Sequence, residues 1–370
     1  MNPPLRPTHL EVDLGAVRDN VARLVATAAP AAVCAVVKAD GYGHGAVPVA
    51  RAALEAGATW LAVALVEEGE ALRDAGIDAP VLVLAEPPPS AAPRLAASDL
   101  TASVYTPDFA EALAAAGRRR GRAVPAHVCL DTGMGRVGIA AEHAAPLLAP
   151  HDGLDVTGIW THFARADEPE ATTTGWQLER FHAALAALER EGRRPPLVHA
   201  ANSAGTLLHP SARFDLVRCG IAVYGLSPAP TLAAESFGLR QALRLVSAVS
   251  FVKRIPAGTS VSYGHRWTAP ADGWLATVPV GYADGVPRSL TNRAQVLIGG
   301  VRRTVAGAIT MDQLLVWCGD DEVAAGDEVV LLGRQGGEAV SVDEWAHLLD
   351  TISYEVACAI GARVPRTHVG

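Results

Sequence analysis

The stretch AVCAVVKADGYGHG at 32–45 decides how the rest of the chain is read. Its first seven residues form an apolar run closed by Lys38, short for a helix and suited to a strand buried on both faces. The three glycines that follow allow tight backbone turns close to a bound group. Similar runs recur as TWLAVAL at 59–65, PVLVLAE at 80–86, TASVY at 101–105 and PAHVCLD at 125–131, then VTGIWTH at 156–162, LVHAANS at 197–203 and IAVYGL at 221–226. Segments between several of them, such as PVARAALEAGA at 48–58 and WQLERFHAALAALEREG at 176–192, place apolar residues at helical spacing. Eight strands, most followed by a helix, predict an α/β fold, a (β/α)8 TIM-like barrel, with an open doubly wound sheet as its competitor. Lys38, Asp131, His162, Asn202 and Ser203 then fall at or just beyond C-terminal strand ends, which in a barrel converge on one face.

The pattern changes after SPAPTLAAESFG at 227–238. ALRLVSAVSFVKRI, WLATVPVG, AQVLIGG, RRTVAGAI and DEVVLLG are short, strand-like and punctuated by Gly, Pro and Asp, while DEWAHLLD at 343–350 and YEVACAIGA at 354–362 read as helices. The expected domains are therefore a barrel over 12–238 and a mainly β domain over 239–370, joined by a strand from residues 1–11.

Composition narrows the function classes. Of 370 residues half are hydrophobic, enough for a large core, and 31 Lys and Arg stand against 39 Asp and Glu for a net charge of −8. Such a balance does not invite nucleic acid, whose binding depends on neutralising phosphates. Five cysteines lie at 34, 129, 219, 318 and 358 with no CxxC or Cys/His spacing, so neither a disulfide framework nor a metal site is expected. With no apolar leader in MNPPLRPTHLEVDLG and no apolar stretch long enough to span a bilayer, a cytoplasmic protein without a membrane segment is expected.

On chemistry alone, two readings of Lys38 stand level. A lysine buried at a strand end loses its proton more readily than in water and forms Schiff bases. Equally, its stem can cover the barrel mouth while the ammonium stays wet. The string AVVKADGYGHG at 35–45 resembles the cofactor-lysine motif of the alanine racemase family, fold-type III pyridoxal-phosphate enzymes. The likeness continues through DTGMGRVG at 131–138, GIWTHFARADE at 158–168, HAANSAGTL at 199–207 and FDLVRCGIAVYGLSP at 214–228. It extends to VSYGHRWTA at 261–269, VGYADGVPR at 280–288, MDQ at 311–313 and YEVACAIGARVPR at 354–366.

This resemblance implies a barrel followed by a β domain, pyridoxal 5'-phosphate as cofactor, and interconversion of L- and D-alanine. It implies that Lys38 holds the cofactor as a Schiff base and serves the D-face of the substrate's α-carbon, with Tyr263 on the L-face. Arg218 would face the pyridine nitrogen, with His162 beside it. Tyr42, Ser203 and Tyr354, with the backbone amides of Gly220 and Ile221, would hold the phosphate. Arg136 and the Met311 amide would bind the substrate carboxylate, and Tyr282 would line the entrance. Lysine and tyrosine would come from different subunits of a head-to-tail homodimer. D-Alanine supply to peptidoglycan is the family's role, although a copy serving specialised metabolism would look similar.

Several positions depart from the family pattern. Cys129 stands where many members carry a carbamylated lysine, so Arg136 would need another anion or be held less firmly. Ala308 replaces an arginine, Thr310 a cysteine, and Cys219 a proline. Altered substrate breadth is therefore an expectation, with serine among the candidates. Two other classes compete: a non-catalytic pyridoxal-phosphate carrier, which lacks the domain supplying Tyr263 and Met311, and a decarboxylase, which carries an acidic residue where this chain has Arg218.

Overall fold

In the computed structural model, residues 5–228 and 231–370 are described. They form two compact units, one of residues 17–41 and 45–240, the other of residues 5–16, 42–44 and 241–370. The first strand, β1 (His9–Asp13), belongs to the second unit. The larger unit is built on β2 (Ala32–Val36), β3 (Trp60–Val63), β4 (Val81–Val83), β5 (Thr101–Val104), β6 (Val124–Cys129), β7 (Leu154–Trp160), β8 (Leu197–His199) and β9 (Leu216–Cys219). These eight parallel strands close on themselves, β2 pairing with both β3 and β9, which excludes the open doubly wound sheet.

Closure explains the composition of the strands. Each barrel strand is packed inside and out, so β4, β5 and β9 are buried at every residue, and β4 (VLV) reads as an unbroken apolar run. Helices cover the outside and are started by local chemistry. Helix Pro107–Arg120 has Thr106 as N-cap, its hydroxyl accepting from the Phe109 N–H at 3.4 Å, with Pro107 at the first helical position and Gly121 ending it at φ 69°. Losing such a cap costs about 1 kcal/mol.

One strand expectation fails. IAVYGL at 221–226 is not a strand: Ile221–Tyr224 is a buried 3-10 turn, and the eighth strand is Leu216–Cys219 just before it. A short apolar run buried on all sides carries no periodicity to separate strand from helix. The true strand was disguised by Arg218, a charge buried inside it at 3% exposure.

The second unit continues with β10 (Leu243–Ala248), β11 (Phe251–Ile255), β12 (Ser260–Val261), β13 (Trp267–Thr268), β14 (Gly273–Val278), β15 (Gln295–Ile298), β16 (Val301–Thr304), β17 (Leu314–Gly319), β18 (Glu328–Gln335), β19 (Glu338–Val340) and β20 (Arg366–Val369). Its main sheet runs β16-β15-β18-β10-β1-β20, with β19 on β18, and β11-β14-β17 form a second sheet. Here β1 is antiparallel to β10 and parallel to β20. With one face packed, burial alternates along β1 and β17, the period-two signature of half-buried strands.

Candidate active site

The barrel strands end on a rim of unusual backbone. After Lys38, which is half-buried, Ala39, Asp40 and Gly41 take left-handed angles (φ 52°, 51° and 62°) and Tyr42 follows at φ 52°. Left-handed geometry costs an L-residue roughly 1–2 kcal/mol, so the turn has to be held from outside. The Glu68 carboxylate does so, accepting from the Ala39 N–H at 2.6 Å while its other oxygen takes the Ala64 and Leu65 amides at 2.8 and 3.1 Å. Asp40 accepts from the Ala46 N–H through its side chain at 2.9 Å and from the Gly45 N–H through its carbonyl at 2.8 Å. Behind the lysine, Tyr224 Oη donates to the Val36 carbonyl at 2.9 Å. Lys38 thus leaves its strand on a fixed backbone.

Arg218 lies across the barrel interior, two strands being joined by the pairing of Cys34 with Arg218. Its Nη1 donates to His199 Nδ1 at 2.8 Å. Its Nη2 faces the Thr161 carbonyl at 2.9 Å, the Ala200 carbonyl at 3.1 Å and His162 Nδ1 at 3.3 Å. The guanidinium also sits over the Trp160 ring, 4.6 Å from its centre. Every partner is neutral. Burial lowers its pKa to about 10, which leaves it charged at neutral pH.

That cation fixes the state of three histidines. An arginine only donates, so His199 Nδ1 must accept and its proton resides on Nε2. His199 Nε2 then donates to His127 Nδ1 at 2.9 Å, which places the His127 proton on Nε2, an atom with no partner among the described residues. Burial, and next Arg218, hold His127 at about 3 and His199 well below its usual value. His162 is likewise held to about 3, first by burial, then by Arg218, Arg136 and Lys38.

Because the unfolded chain binds the protons of His127 and His162 near pH 6.5 and the folded chain only near pH 3, the unfolded chain holds more protons throughout that window, and His199 is shifted in the same direction. Stability is therefore full above about pH 6.5 and falls as pH drops toward 3, by about 1.4 kcal/mol per pH unit for each of His127 and His162. Urea unfolding at pH 7.5, 6 and 5 is expected to show this decline. A free energy of unfolding that stays flat from pH 7.5 to 5 would contradict the neutral assignment.

At the end of β6, Asp131 accepts from the Gly133 and Gly135 amides at 2.9 and 3.1 Å, shaping the DTGMG turn. Gln177 ties this loop to the next rim segment, donating to Thr132 Oγ1 at 3.3 Å and the His162 carbonyl at 3.0 Å. Arg136 is exposed and has no hydrogen-bond or ion-pair partner among the described residues. Cys129 is 2% exposed, and burial pushes its thiol up to about 12, so it is a small neutral filler at neutral pH.

Ser203 and Gly220 are brought together. Asn202, not Ser203, caps helix Ser203–Leu208, accepting from the Gly205 N–H at 2.8 Å. The Ser203 hydroxyl is then free to take the Gly220 and Ala222 amides at 2.9 and 3.3 Å. The Ile221 N–H makes no hydrogen bond among the described residues. With the Ser203 oxygen accepting from two backbone amides, its own hydrogen and the Ile221 N–H remain to be donated to an anion.

Within the second unit, Tyr42 and Tyr354 lie side by side, ring centres 6.1 Å apart, and burial raises the Tyr42 hydroxyl well above the usual range. Tyr263 sits on a strained turn: Ser262 has φ 60°, paid for by its hydroxyl donating to the Ala308 carbonyl at 2.7 Å. Tyr263 is 73% exposed, Met311 52% and Tyr282 43%, notable for large apolar side chains. Glu68, His127 and His199 were not foreseen as site residues. The two histidines lie inside quoted strands, but nothing local shows which side chains face inward.

A closed parallel barrel with a lysine, a buried arginine and a backbone-amide cradle at its strand ends is the frame of a small-molecule enzyme. The family models "Alanine racemase, N-terminal domain" and "Alanine racemase, C-terminal domain" match residues 12–228 and 242–368. An alanine racemase of Symbiobacterium thermophilum is 51% identical over 370 residues, covering 99% of this chain and 98% of that protein. One of Frankia casuarinae is 50% identical over 367 residues, covering 97% and 95%. The crystal structure of alanine racemase from D-cycloserine-producing Streptomyces lavendulae superposes with a TM-score of 0.95 at 43% identity, covering 100% of this chain and 98% of that one. The chain belongs to the alanine racemase family.

Proposed function

We propose that this protein interconverts L-alanine and D-alanine with pyridoxal 5'-phosphate held on Lys38. The observation that carries the reading is similarity over the whole length to alanine racemases, at 51% identity, with the lysine and tyrosine motifs both present. The donor set fits the cofactor. Arg218 is a buried cation surrounded only by neutral acceptors, and Ser203 keeps its own hydrogen to donate to a phosphate oxygen. When bound, the cofactor supplies an electron sink that acidifies the hydrogen on the substrate's α-carbon.

The chain's own residues do the rest. With the cofactor bound, Arg218 would face its pyridine nitrogen as a donor and, having no lone pair to take a proton, would keep that nitrogen unprotonated and the sink modest. His162 and His199 orient it. Tyr42, Tyr354 and Ser203 hydroxyls, with the Gly220 and Ile221 amides, bind the phosphate. Arg136 and the Met311 N–H hold the substrate carboxylate, and Tyr282 lines the entrance. Lys38 Nζ moves the proton on one face of the α-carbon and Tyr263 Oη moves it on the other. Inversion requires both faces, because a single base would return the proton it removed.

The active unit in this reading is a head-to-tail homodimer in which Tyr263 and Met311 serve the partner's Lys38, with two equivalent sites. Their high exposure on a single chain supports this. Light scattering is expected to give twice the chain mass, and a monomer of full activity would contradict it. Five cysteines without a disulfide fit the reducing cytoplasm, and among the described residues no helix is long and apolar enough to cross a membrane.

Racemisation assays on both enantiomers of alanine, serine and several larger amino acids test the substrate. Alanine is expected to give the highest kcat/KM. A marked preference for another amino acid would overturn the alanine assignment, and inactivity toward all of them with cofactor bound would overturn racemisation.

A further inference from the structure

The turn at residues 310–313 is closed more firmly than an exposed loop requires. The Thr310 N–H and hydroxyl both donate to the Gln313 carbonyl, at 2.9 and 2.8 Å, and the hydroxyl accepts from the Gln313 N–H at 3.2 Å. The Thr310 and Met311 carbonyls are taken by the Tyr282 and Ala283 amides at 3.0 and 3.1 Å. Arg363 donates to Asp312 at 2.7 Å and lies 3.4 Å from Asp284, whose buried carboxylate accepts from Arg6 at 2.8 Å and from the Gly281 N–H at 3.0 Å. Gly281 has to be glycine, since a Cβ there would stand 2.2 Å from the Thr310 carbonyl oxygen. Inside this bracing, the Met311 N–H donates to no group among the described residues.

We propose that Thr310 is a positioning residue, its hydroxyl locking the turn so that the Met311 N–H is held ready for the substrate carboxylate. The inference rests on the reading of Met311 as a carboxylate donor. A hydroxyl donates and accepts strongly at once, whereas the thiol of a cysteine at this position does both weakly. Thr310 therefore does not merely replace a cysteine; it stiffens the carboxylate end of the pocket. The carboxylate sits on the reacting α-carbon but keeps its own charge through the proton transfer, so a donor to it serves bound substrate and transition state nearly alike, and loosening that donor weakens substrate binding more than it slows the chemical step.

The test compares Thr310→Val, which keeps shape and loses the hydroxyl, with Thr310→Ser, which keeps the hydroxyl. Thr310→Val is expected to raise KM for both enantiomers about tenfold with kcat within about twofold, the signature of lost uniform binding. Thr310→Ser is expected to bring KM back to within about twofold of the starting protein. Acetate, which offers a carboxylate and nothing else, should stabilise the Thr310→Val holoenzyme against heat less than it stabilises wild type. If Thr310→Val does not fold, Thr310→Cys takes its place, with the same direction expected. Wild-type KM and acetate response in the variant lacking the hydroxyl, or an equal rise in KM in Thr310→Ser, would overturn the proposal. Met311→Pro, which removes that N–H together with the side chain and fixes φ, is read against Met311→Ala, which keeps the N–H, and the pair separates the two layers. If Met311→Pro raises KM while Thr310→Val does not, Thr310 loses its role and Met311 keeps its own. If Met311→Pro changes neither KM nor acetate response, the reading of Met311 itself falls.

Discussion

Replacing Lys38 by alanine is expected to remove the visible absorbance of the lysine-bound cofactor and to lower racemisation by at least about 10⁴-fold, since in the proposed function one residue both anchors the cofactor and moves a proton. The fold should survive the change. The left-handed turn beside the lysine is held through backbone groups: Glu68 binds the Ala39 N–H, Asp40 binds the Ala46 and Gly45 amides, and Tyr224 binds the Val36 carbonyl. None of these contacts uses the lysine side chain. A thermal midpoint near that of wild type, with the absorbance band gone, is therefore the expected pair of results. Retention of an unchanged band would overturn the assignment of Lys38.

Tyr263→Phe is expected to lower kcat/KM by about 10²- to 10⁴-fold, the usual share of a positioned acid or base. The loss must be equal in both directions, because enantiomers have equal free energy and the equilibrium constant is one. Cofactor absorbance should persist, as Lys38 is untouched. The substitution separates chemistry from folding cleanly. Tyr263 is 73% exposed, and its place is set by backbone and by the Ser262 hydroxyl on the Ala308 carbonyl, not by its own hydroxyl. A thermal midpoint unchanged within error, together with wild-type rates in both directions followed by circular dichroism, would remove Tyr263 from the proton path.

The barrel was legible in the sequence wherever its strands ran apolar and unbroken, because parallel strands buried on both faces leave that mark. It failed at the last strand, where Arg218 interrupts LVRC and the following IAVY is the more apolar string although it winds into a turn. Strength of apolarity reports burial, not backbone. The β unit was harder. Leu314–Gly319 carries a period-two burial pattern that its sequence, LLVWCG, does not display, since Leu315 and Trp317 are apolar on the less buried face. Glu338–Val340 and Arg366–Val369 are too short to announce themselves and exist through pairing with β18 and β1.

Motif likeness singled out the lysine, arginine and serine as site candidates, but not what holds them. Ala39, Asp40 and Tyr42 have nothing in their residue types that demands positive φ; Glu68, distant in sequence, helps to hold the turn. The chain from Arg218 through His199 to His127 depends on three inward-facing positions on three strands, an arrangement fixed only when the barrel closes. Thr310 was visible as a departure from the family pattern, while its hydrogen bonds to Gln313 required the turn itself.

The central claim is that one chain's Lys38 works with the partner subunit's Tyr263, and mixing two inactive proteins tests it most directly. Lys38→Ala and Tyr263→Phe chains are unfolded together, refolded with cofactor at equal concentrations, and assayed for racemisation. A mixed dimer would then hold one site with both replacements and one with neither. Random pairing should restore about a quarter of wild-type activity, half the dimers being mixed and each carrying one intact site of two. Mixed dimers that form in the expected proportion and remain as inactive as their parents would contradict the shared site.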